Sequence, residues 1–543
     1  MPPAALDGGL TGLDFVVITI YLVATMSMGF WIARGQHSTE DFFVGGRQLP
    51  AWAVGISILA SLLSTITYLG MPGEMFRTGV GFLTRQLGVP LVLVVVWFLW
   101  IPFFMRLNLT SAYEYLERRF NYPVRVLGAI LCLLLLLGWM SVVVLTASRA
   151  MAEITYLNLP WFFGVNTPDF RDADLHAIIL AIGLFSVIYT TLGGIRAVIW
   201  TDVIQFFILI GGALFTIGFV AVDTGSGLSE WMEAQRAYPH RESVEWFSWD
   251  IGNRSTVFFI SVGMFFWFCC THGSNQVALQ RYFTVKDVRA ARKSYLVSAL
   301  SSFGLSIILA GVGLSLLYFI QHHELPAAAG VESAEQAIRY DAQDKVFPQF
   351  IRFYLPAGLR GLVVAALFAA AMSTIDSGAD SISTIATVDF FRRRRSSEVS
   401  AQAELRLART LTASMGLIIV TLTIVLYHVS KGTDIISLCQ KGFNCFLGPL
   451  GALFVLGMWS KRATARSVFP AVLAGELFGV CASYSQELFG WAYSTHLVIP
   501  GSWLVTITVA QLLAVILDTR ADHEAQQWMW RSVLTREMQK RSS

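Results

Sequence analysis

The apolar positions of this chain fall into long runs separated by short polar connections. Runs close to the roughly 20 residues that a bilayer-spanning helix needs lie at about 13–34, 51–70, 79–104, 124–155, 175–194, 200–221, 256–280, 294–321, 357–387, 405–428, 432–458, 463–485 and 499–518. The pattern predicts an all-α polytopic membrane protein with about 13 transmembrane helices. Several runs exceed one span, which predicts tilts, breaks or extensions into the connections. Two longer polar segments with scattered aromatics, 222–255 and 322–356, are expected to carry short amphipathic helices over the external mouth. No connection is long enough for a soluble domain, so residues 1–543 read as one transmembrane domain with a basic-amphipathic tail at 519–543.

Three of the runs carry polar residues where a plain membrane helix would not. The stretch Ala365–Phe391 starts with small apolar residues and then fills its centre with hydroxyls and two carboxylates, Asp376 and Asp380. Carboxylates at membrane depth are costly and are expected to face a cavity, a partner or an ion. The run 51–70 carries Ser61, Ser64, Thr65 and Thr67, followed by Gly70, Pro72 and Gly73, while 256–280 contains Cys270, Thr271, His272, Gly273, Ser274 and Asn275. These two runs head successive groups of five, 51–221 and 256–458, whose opposite topology permits an inverted repeat. Paired interruptions at corresponding places point to broken helices that expose carbonyls and helix ends at the midplane. For either interruption alone, ordinary Ser/Thr-mediated helix packing is an equal explanation.

Composition narrows the class. With 55% hydrophobic and 14% charged residues and a mean hydropathy of +0.60, the chain is too apolar for a soluble globule of its length. Its formal charge is only +3, and its Lys and Arg residues sit in short clusters between runs, which argues against a nucleic-acid partner. Those clusters follow the third, seventh, ninth, eleventh and thirteenth runs: Arg106, Arg118 and Arg119; Arg281, Lys286, Arg289, Arg292 and Lys293; Arg392–Arg395; Lys461 and Arg462; Arg520, Arg531 and Arg536. The short connection 486–498 has no Lys or Arg. The positive-inside rule then places the N-terminus outside a cell membrane and the C-terminus in the cytoplasm, with Arg392–Arg395 a topology anchor. Six cysteines, all in apolar runs without metal-ligand spacing, read as buried small hydrophobes. Met1–Leu13 lacks the basic segment of a cleaved signal, so the first run is expected to stay in the mature protein.

Several motifs together resemble the sodium/solute symporter family over nearly the whole chain. They are Gly45-Gly46-Arg47-Gln48-Leu49-Pro50-Ala51-Trp52, the run Thr-Ser-Ala-Tyr-Glu-Tyr-Leu-Glu-Arg-Arg-Phe from Thr110, Tyr189–Gln205, Gln280-Arg281 and the Ala365–Phe391 stretch. The resemblance implies a LeuT-like five-plus-five inverted-repeat core behind one extra N-terminal helix, with Na⁺ driving substrate uptake by alternating access. It also implies a main Na⁺ site built from the carbonyls of Ala60, Leu63 and Ala370 and the hydroxyls of Ser373 and Thr374. The chemistry suits a hard cation, which takes about five oxygens, mostly neutral ones if it must also leave. A second cation site is implied at Asp202, with Ser373, Asp376 and Ser377 as partners.

Some positions depart from the family pattern or have two readings. Asp376 stands where many relatives have serine; a carboxylate there could strengthen the second cation site, take a proton, or pair with Arg85 or Lys441. Asp202 reads equally well as a helix cap near an N-terminal dipole. Asp380 reads as an interhelical hydrogen-bonding group. By register, the solute pocket would be lined by Thr67, Gln86, Phe268, Thr271, His272 and Gln440. Gln440 matches a glutamine that bonds a hydroxyl in sugar-transporting members, whereas Thr67, Phe268 and Thr271 count against a hexose. Arg85, inside an apolar run, either meets a carboxylate substrate or snorkels to the interface. His272 is either a packing histidine or a proton switch.

The expectation is therefore a secondary active transporter that couples inward Na⁺ flux to uptake of a small organic solute: a sugar, a sugar acid or a monocarboxylate. Its partners would be that solute and the lipid bilayer, with no obligate protein partner and no covalent chemistry. The alternatives are a proton-coupled or uncoupled carrier and, from another class, a membrane sensor or receptor.

Overall fold

In a bilayer, backbone N–H and C=O groups must bond within their own segment, so long apolar runs become helices. The computed structural model describes residues 9–33, 38–155, 170–238, 242–253, 256–323, 343–392, 400–430 and 438–535. Among them the only extended pairing is an isolated bridge between Glu245 and Thr256. The first half of the chain comprises α1 (Gly12–Ala33), α2 (Thr39–Val44), α3 (Ala51–Leu62), α4 (Thr65–Thr78), α5 (Gly79–Leu107), α6 (Glu114–Arg119), α7 (Tyr122–Thr155), α8 (Asp172–Thr191), α9 (Gly193–Thr224) and α10 (Leu228–Arg236). The second half comprises α11 (Val257–Ser274), α12 (Gln276–Phe283), α13 (Val288–His322), α14 (Gln343–Phe353), α15 (Leu359–Phe391), α16 (Ala401–Val429), α17 (Lys441–Trp459), α18 (Ala465–Ser483) and α19 (Val498–Ile516).

Among the described residues, twelve helices are long and apolar enough to cross a membrane. The remaining expected span, 51–70, is formed by α3 and α4, of 12 and 14 residues, separated only by Leu63 and Ser64. The preceding turn of helix, Thr39–Arg47, does not extend α3 but lies at 115° to it. Both halves of the broken pair run along α13: Gly55 meets Ser294 and Val297, and Gly313 meets Pro72 and Met75. A Cβ on Gly313 would stand 2.7 Å from the Pro72 carbonyl oxygen, so this approach requires glycine. The seventh expected run is likewise two helices, α11 and α12, parted at Asn275. α8 and α9 are continuous except at Gly194, whose φ of 54° and ψ of −167° bend the run where the Gly193-Gly194 pair stands. The connections 222–255 and 322–356 each carry a short helix, α10 and α14.

α15 is the centre of the bundle. In its most apolar stretch 89% of residues are buried, against 22% in α1 and 28% in α16, which face outward. One end of the bundle is clasped by the segment from Thr110. Ser111 donates to Asp389 Oδ2 at 2.5 Å, and Arg125 donates to Asp389 Oδ1 at 2.7 Å and to Glu117 at 2.6 Å. Gln276 accepts the Ala112 N–H at 2.9 Å and donates to the Thr110 carbonyl at 3.0 Å. Arg119 donates to the carbonyls of Gly457 (2.8 Å) and Ser460 (2.7 Å) at the end of α17. The tail folds back to the same end, where Trp530 donates to the Leu99 carbonyl at 3.2 Å. Arg392 pairs there with Glu404. Arg393–Arg395 and residues 536–543 lie outside the described residues.

Candidate functional site

The break between α3 and α4 follows from its sequence. Leu63 (φ −95°, ψ 102°) and Ser64 (φ −103°, ψ 174°) are extended. As a result no backbone N–H among the described residues donates to the carbonyls of Ala60 or Leu63. α15 presents hydroxyls to this gap. Ser373 Oγ lies 3.1 Å from the Ala60 carbonyl oxygen and 3.3 Å from that of Ala370, and Thr374 Oγ1 lies 3.3 Å from the Ala370 carbonyl oxygen. All four residues are buried. Hydroxyl–oxygen hydrogen bonds usually measure about 2.7–2.8 Å, so these separations are long. Oxygens held about 2.4 Å from a hard cation and at right angles to one another stand about 3.4 Å apart, and the hydroxyl–carbonyl spacing approaches that value. The arrangement offers neutral oxygens to a small monovalent cation.

One turn further along α15 the polar groups are charged. Arg281 of α12 is buried and spends its donors on four groups: Ser57 Oγ at 2.9 Å, the Val277 carbonyl at 2.9 Å, Ser377 Oγ at 2.5 Å and Asp202 Oδ2 at 3.3 Å. Ser57 also donates to Asp202 at 2.5 Å, and Ser377 to Ser61 at 2.8 Å. Asp202 and Ser377 are thus brought together around a guanidinium. Asp202 sits well inside α9 and caps no helix. Asp376 points elsewhere, accepting from Thr190 of α8 at 2.9 Å, and its other oxygen has no partner among the described residues. It pairs with neither Arg85 nor Lys441, since Lys441 is bonded to Glu487. Asp380 accepts from Gln280 of α12 at 2.8 Å.

Beside the break lies a cavity of about 270 Å³. Leu63, Ser64 and Thr67 form one wall, and Arg85, Gln86, Phe268 and His272 line others. Four of the residues expected by register, Thr67, Gln86, Phe268 and His272, therefore share one cavity. Thr271 is buried but does not line it. The Gln440 side chain lies outside the described residues. Gln86 donates to Ser306 at 2.7 Å, and the His272 ring meets the Tyr282 hydroxyl at 2.8 Å. The Arg85 guanidinium stands 5.1 Å over the Phe82 ring, and the Glu74 carboxylate is its electrostatic partner among the described residues. Sequence reasoning missed the aromatic wall of Trp139, Trp267 and Phe443 and the hydroxyls of Ser298, Ser302 and Ser306. Those three serines recur every fourth residue of α13, a polar stripe on one helix face that could have found them.

The family profile of the sodium:solute symporters matches residues 42–475. The chain belongs to the sodium:solute symporter family. It is 31% identical to the sodium/sialic acid symporter NanT of Aliivibrio fischeri over 85% of this chain and 86% of that one. It is 28% identical to the sodium/sialic acid symporter SiaT of Proteus mirabilis over 90% and 94% of the two chains. A solved Na⁺-coupled sialic acid symporter in a substrate-bound, outward-open state superposes with a TM-score of 0.79 at 25% identity, covering 95% of this chain and 99% of that one. The fold is LeuT-like, and the protein is a multi-pass Na⁺-coupled solute symporter, not an enzyme. Within this symporter the helix breaks, the neutral oxygens and the cavity occupy one region, with the Arg281–Asp202 pair beside it.

Proposed function

We propose that this symporter takes up a small organic anion, a sugar acid or monocarboxylate, together with Na⁺ held by Ala60, Leu63, Ala370, Ser373 and Thr374. The observation that carries the reading is that Leu63, whose carbonyl receives no backbone donor among the described residues, also lines the cavity, so one helix break can serve both ligands. Filling the ion site fixes the extended Leu63–Ser64 segment, and that segment is a wall of the solute site. Each ligand then favours the conformation the other needs, which is the thermodynamic content of coupling. A Na⁺ ion entering along a membrane potential supplies about 2.3 kcal/mol per 100 mV.

Arg85 supports the choice of an anion, because a guanidinium lining the cavity can bind a solute carboxylate bidentately. Sialic acid, carried by the relatives, is such a solute. Thr67, Gln86, Phe268, His272 and Gln440 complete the proposed solute site, with Thr271 behind it. Residues 51–221 and 256–458 are the proposed repeats. Among the described residues, Arg118, Arg119 and Arg392 lie at the end of the bundle where the tail folds back, which supports a cytoplasmic C-terminus and an external N-terminus, whereas Arg281, expected in the same set, is buried in the core.

A second reading concerns Asp376. Its buried, unpartnered oxygen favours a proton or a second cation there, while Arg281 already supplies a cation to Asp202 and Ser377. Uptake of sialic acid and of lactate into proteoliposomes, driven by an imposed Na⁺ gradient or by a pH gradient, tests both readings. The proposal requires Na⁺-driven accumulation that Arg85→Gln weakens, and accumulation by the pH gradient alone would instead favour proton coupling.

A further inference from the structure

Another cavity, of about 630 Å³, shares no lining residue with the one beside the α3–α4 break. α5 contributes Trp97 and Arg106, and the start of α13 contributes Arg289, Arg292 and Lys293. The single carboxylate in the lining, Asp287, is already engaged: it accepts the Ala290 N–H at 2.7 Å and caps α13. Arg106 donates to the Pro102 carbonyl at 2.7 Å, and Arg292 donates to the Trp97 carbonyl at 3.1 Å with its guanidinium 5.5 Å over the Trp97 ring. No carboxylate among the described residues pairs with Arg289, Arg292 or Lys293.

A topology signal needs basic residues on this face, but it does not need four of them to converge from two helices on one concavity. Like charges held this close repel unless an anion lies between them. The rim of the cavity states where the anion comes from. Phe98, Leu296 and Leu300, beside the basic residues on α5 and α13, are exposed large apolar side chains. Trp97, an indole of the kind enriched at membrane interfaces, lines the cavity itself.

We propose that this cavity binds the phosphate headgroup of an anionic phospholipid, with the acyl chains lying along Phe98, Leu296 and Leu300. Basic pockets between membrane helices recognise such headgroups by charge, and arginine adds directional donors to phosphate oxygens. The inference is independent of how Na⁺ and solute are bound.

The test uses the purified full-length symporter in detergent, titrated with phosphatidylglycerol, cardiolipin, phosphatidylcholine or inorganic phosphate. Thermal midpoint and lipid retained in native mass spectra are the readouts. Phosphatidylglycerol or cardiolipin is expected to be retained and to raise the midpoint, whereas phosphatidylcholine and phosphate are not. The double variant Arg289→Gln/Lys293→Gln changes two exposed side chains and should weaken retention roughly 30-fold, about fivefold for each basic group near an anionic surface. A control double variant on the same face, Lys461→Gln/Arg462→Gln, should retain lipid like the parent. Equal retention by the Arg289/Lys293 variant, an equal loss in the control, or stabilisation by free phosphate matching that by lipid would each overturn the proposal.

Discussion

The two interrupted helices of the core differ in what their breaks leave open. At α11–α12, Asn275 bridges the joint: its side chain accepts the Val277 N–H at 2.9 Å, its N–H bonds to Thr271 at 3.1 Å and its carbonyl accepts from Leu279 at 3.1 Å. At α3–α4 the carbonyls of Ala60 and Leu63 receive no backbone donor among the described residues, and α15 turns the Ser373 hydroxyl toward that of Ala60. Both breaks leave carbonyls without a backbone donor among the described residues, His272, Gly273 and Ser274 at α11–α12, but there Tyr113 donates to the Ser274 carbonyl at 2.9 Å and Asn275 holds the joint, whereas the α3–α4 break faces a hydroxyl of α15. The joint has its own role, because α12 behind it carries Arg281, which reaches Ser57 on α3 and Asp202 on α9. On the proposed reading one break binds, and the other holds the bundle around it.

The largest expected effect comes from cutting that tie. Arg281→Gln or Asp202→Asn leaves one partner charged and buried, and each should cost about 3–5 kcal/mol, read by thermal or denaturant unfolding. The double variant should recover part of the loss in a double-mutant cycle. Additive losses would mean that the pair does not couple the two helices.

At the open break, Arg85→Gln should raise the KM for an anionic solute by roughly 10- to 100-fold, the value of one charge-assisted hydrogen bond. Na⁺ dependence should stay intact, and Arg85→Lys should restore part of the affinity. An unchanged KM would remove Arg85 from the solute site.

Asn275→Ala removes a helix cap, so a stability loss of about 1 kcal/mol is expected, with no change in the Na⁺ concentration needed for half-maximal uptake. A shift in Na⁺ dependence would erase the distinction between the two breaks. The smallest effect lies at the surface. The hydrogen bond and charge of Lys441 hold the exposed Glu487 carboxyl below its ordinary 4.5. The stability this pair contributes is present above pH 4.5 and fades as pH falls through the lowered value. Glu487→Gln should flatten that slope slightly and leave uptake at neutral pH untouched.

These effects also divide by how legible they were in the sequence. Hydropathy located every expected span because the bilayer leaves the backbone no alternative to a helix. The breaks were legible too, since Leu63-Ser64 and Asn275 stand within clusters of hydroxyls, glycine and proline. The partners were not. Arg281 and Asp202 are 79 residues apart, and no local periodicity announces that a guanidinium on α12 will meet a carboxylate on α9. The adjacent Asp376 and Ser377 read as one cluster along the chain. On a helix, neighbours point about 100° apart, so one meets Thr190 of α8 and the other Arg281. The Asp389–Arg125–Glu117 clasp was hidden for the same reason, although its motif from Thr110 was visible as a string.

The central claim, that ion and solute meet at the Leu63–Ser64 break, is tested most directly by measuring solute affinity against Na⁺ concentration in the parent and in Ser373→Ala and Thr374→Ala variants. In the parent, Na⁺ should raise solute affinity by about 5- to 150-fold, the usual range of a coupling free energy between two sites. The variants should reach the same limiting affinity only at much higher Na⁺. Identical Na⁺ dependence in all three proteins would contradict the account.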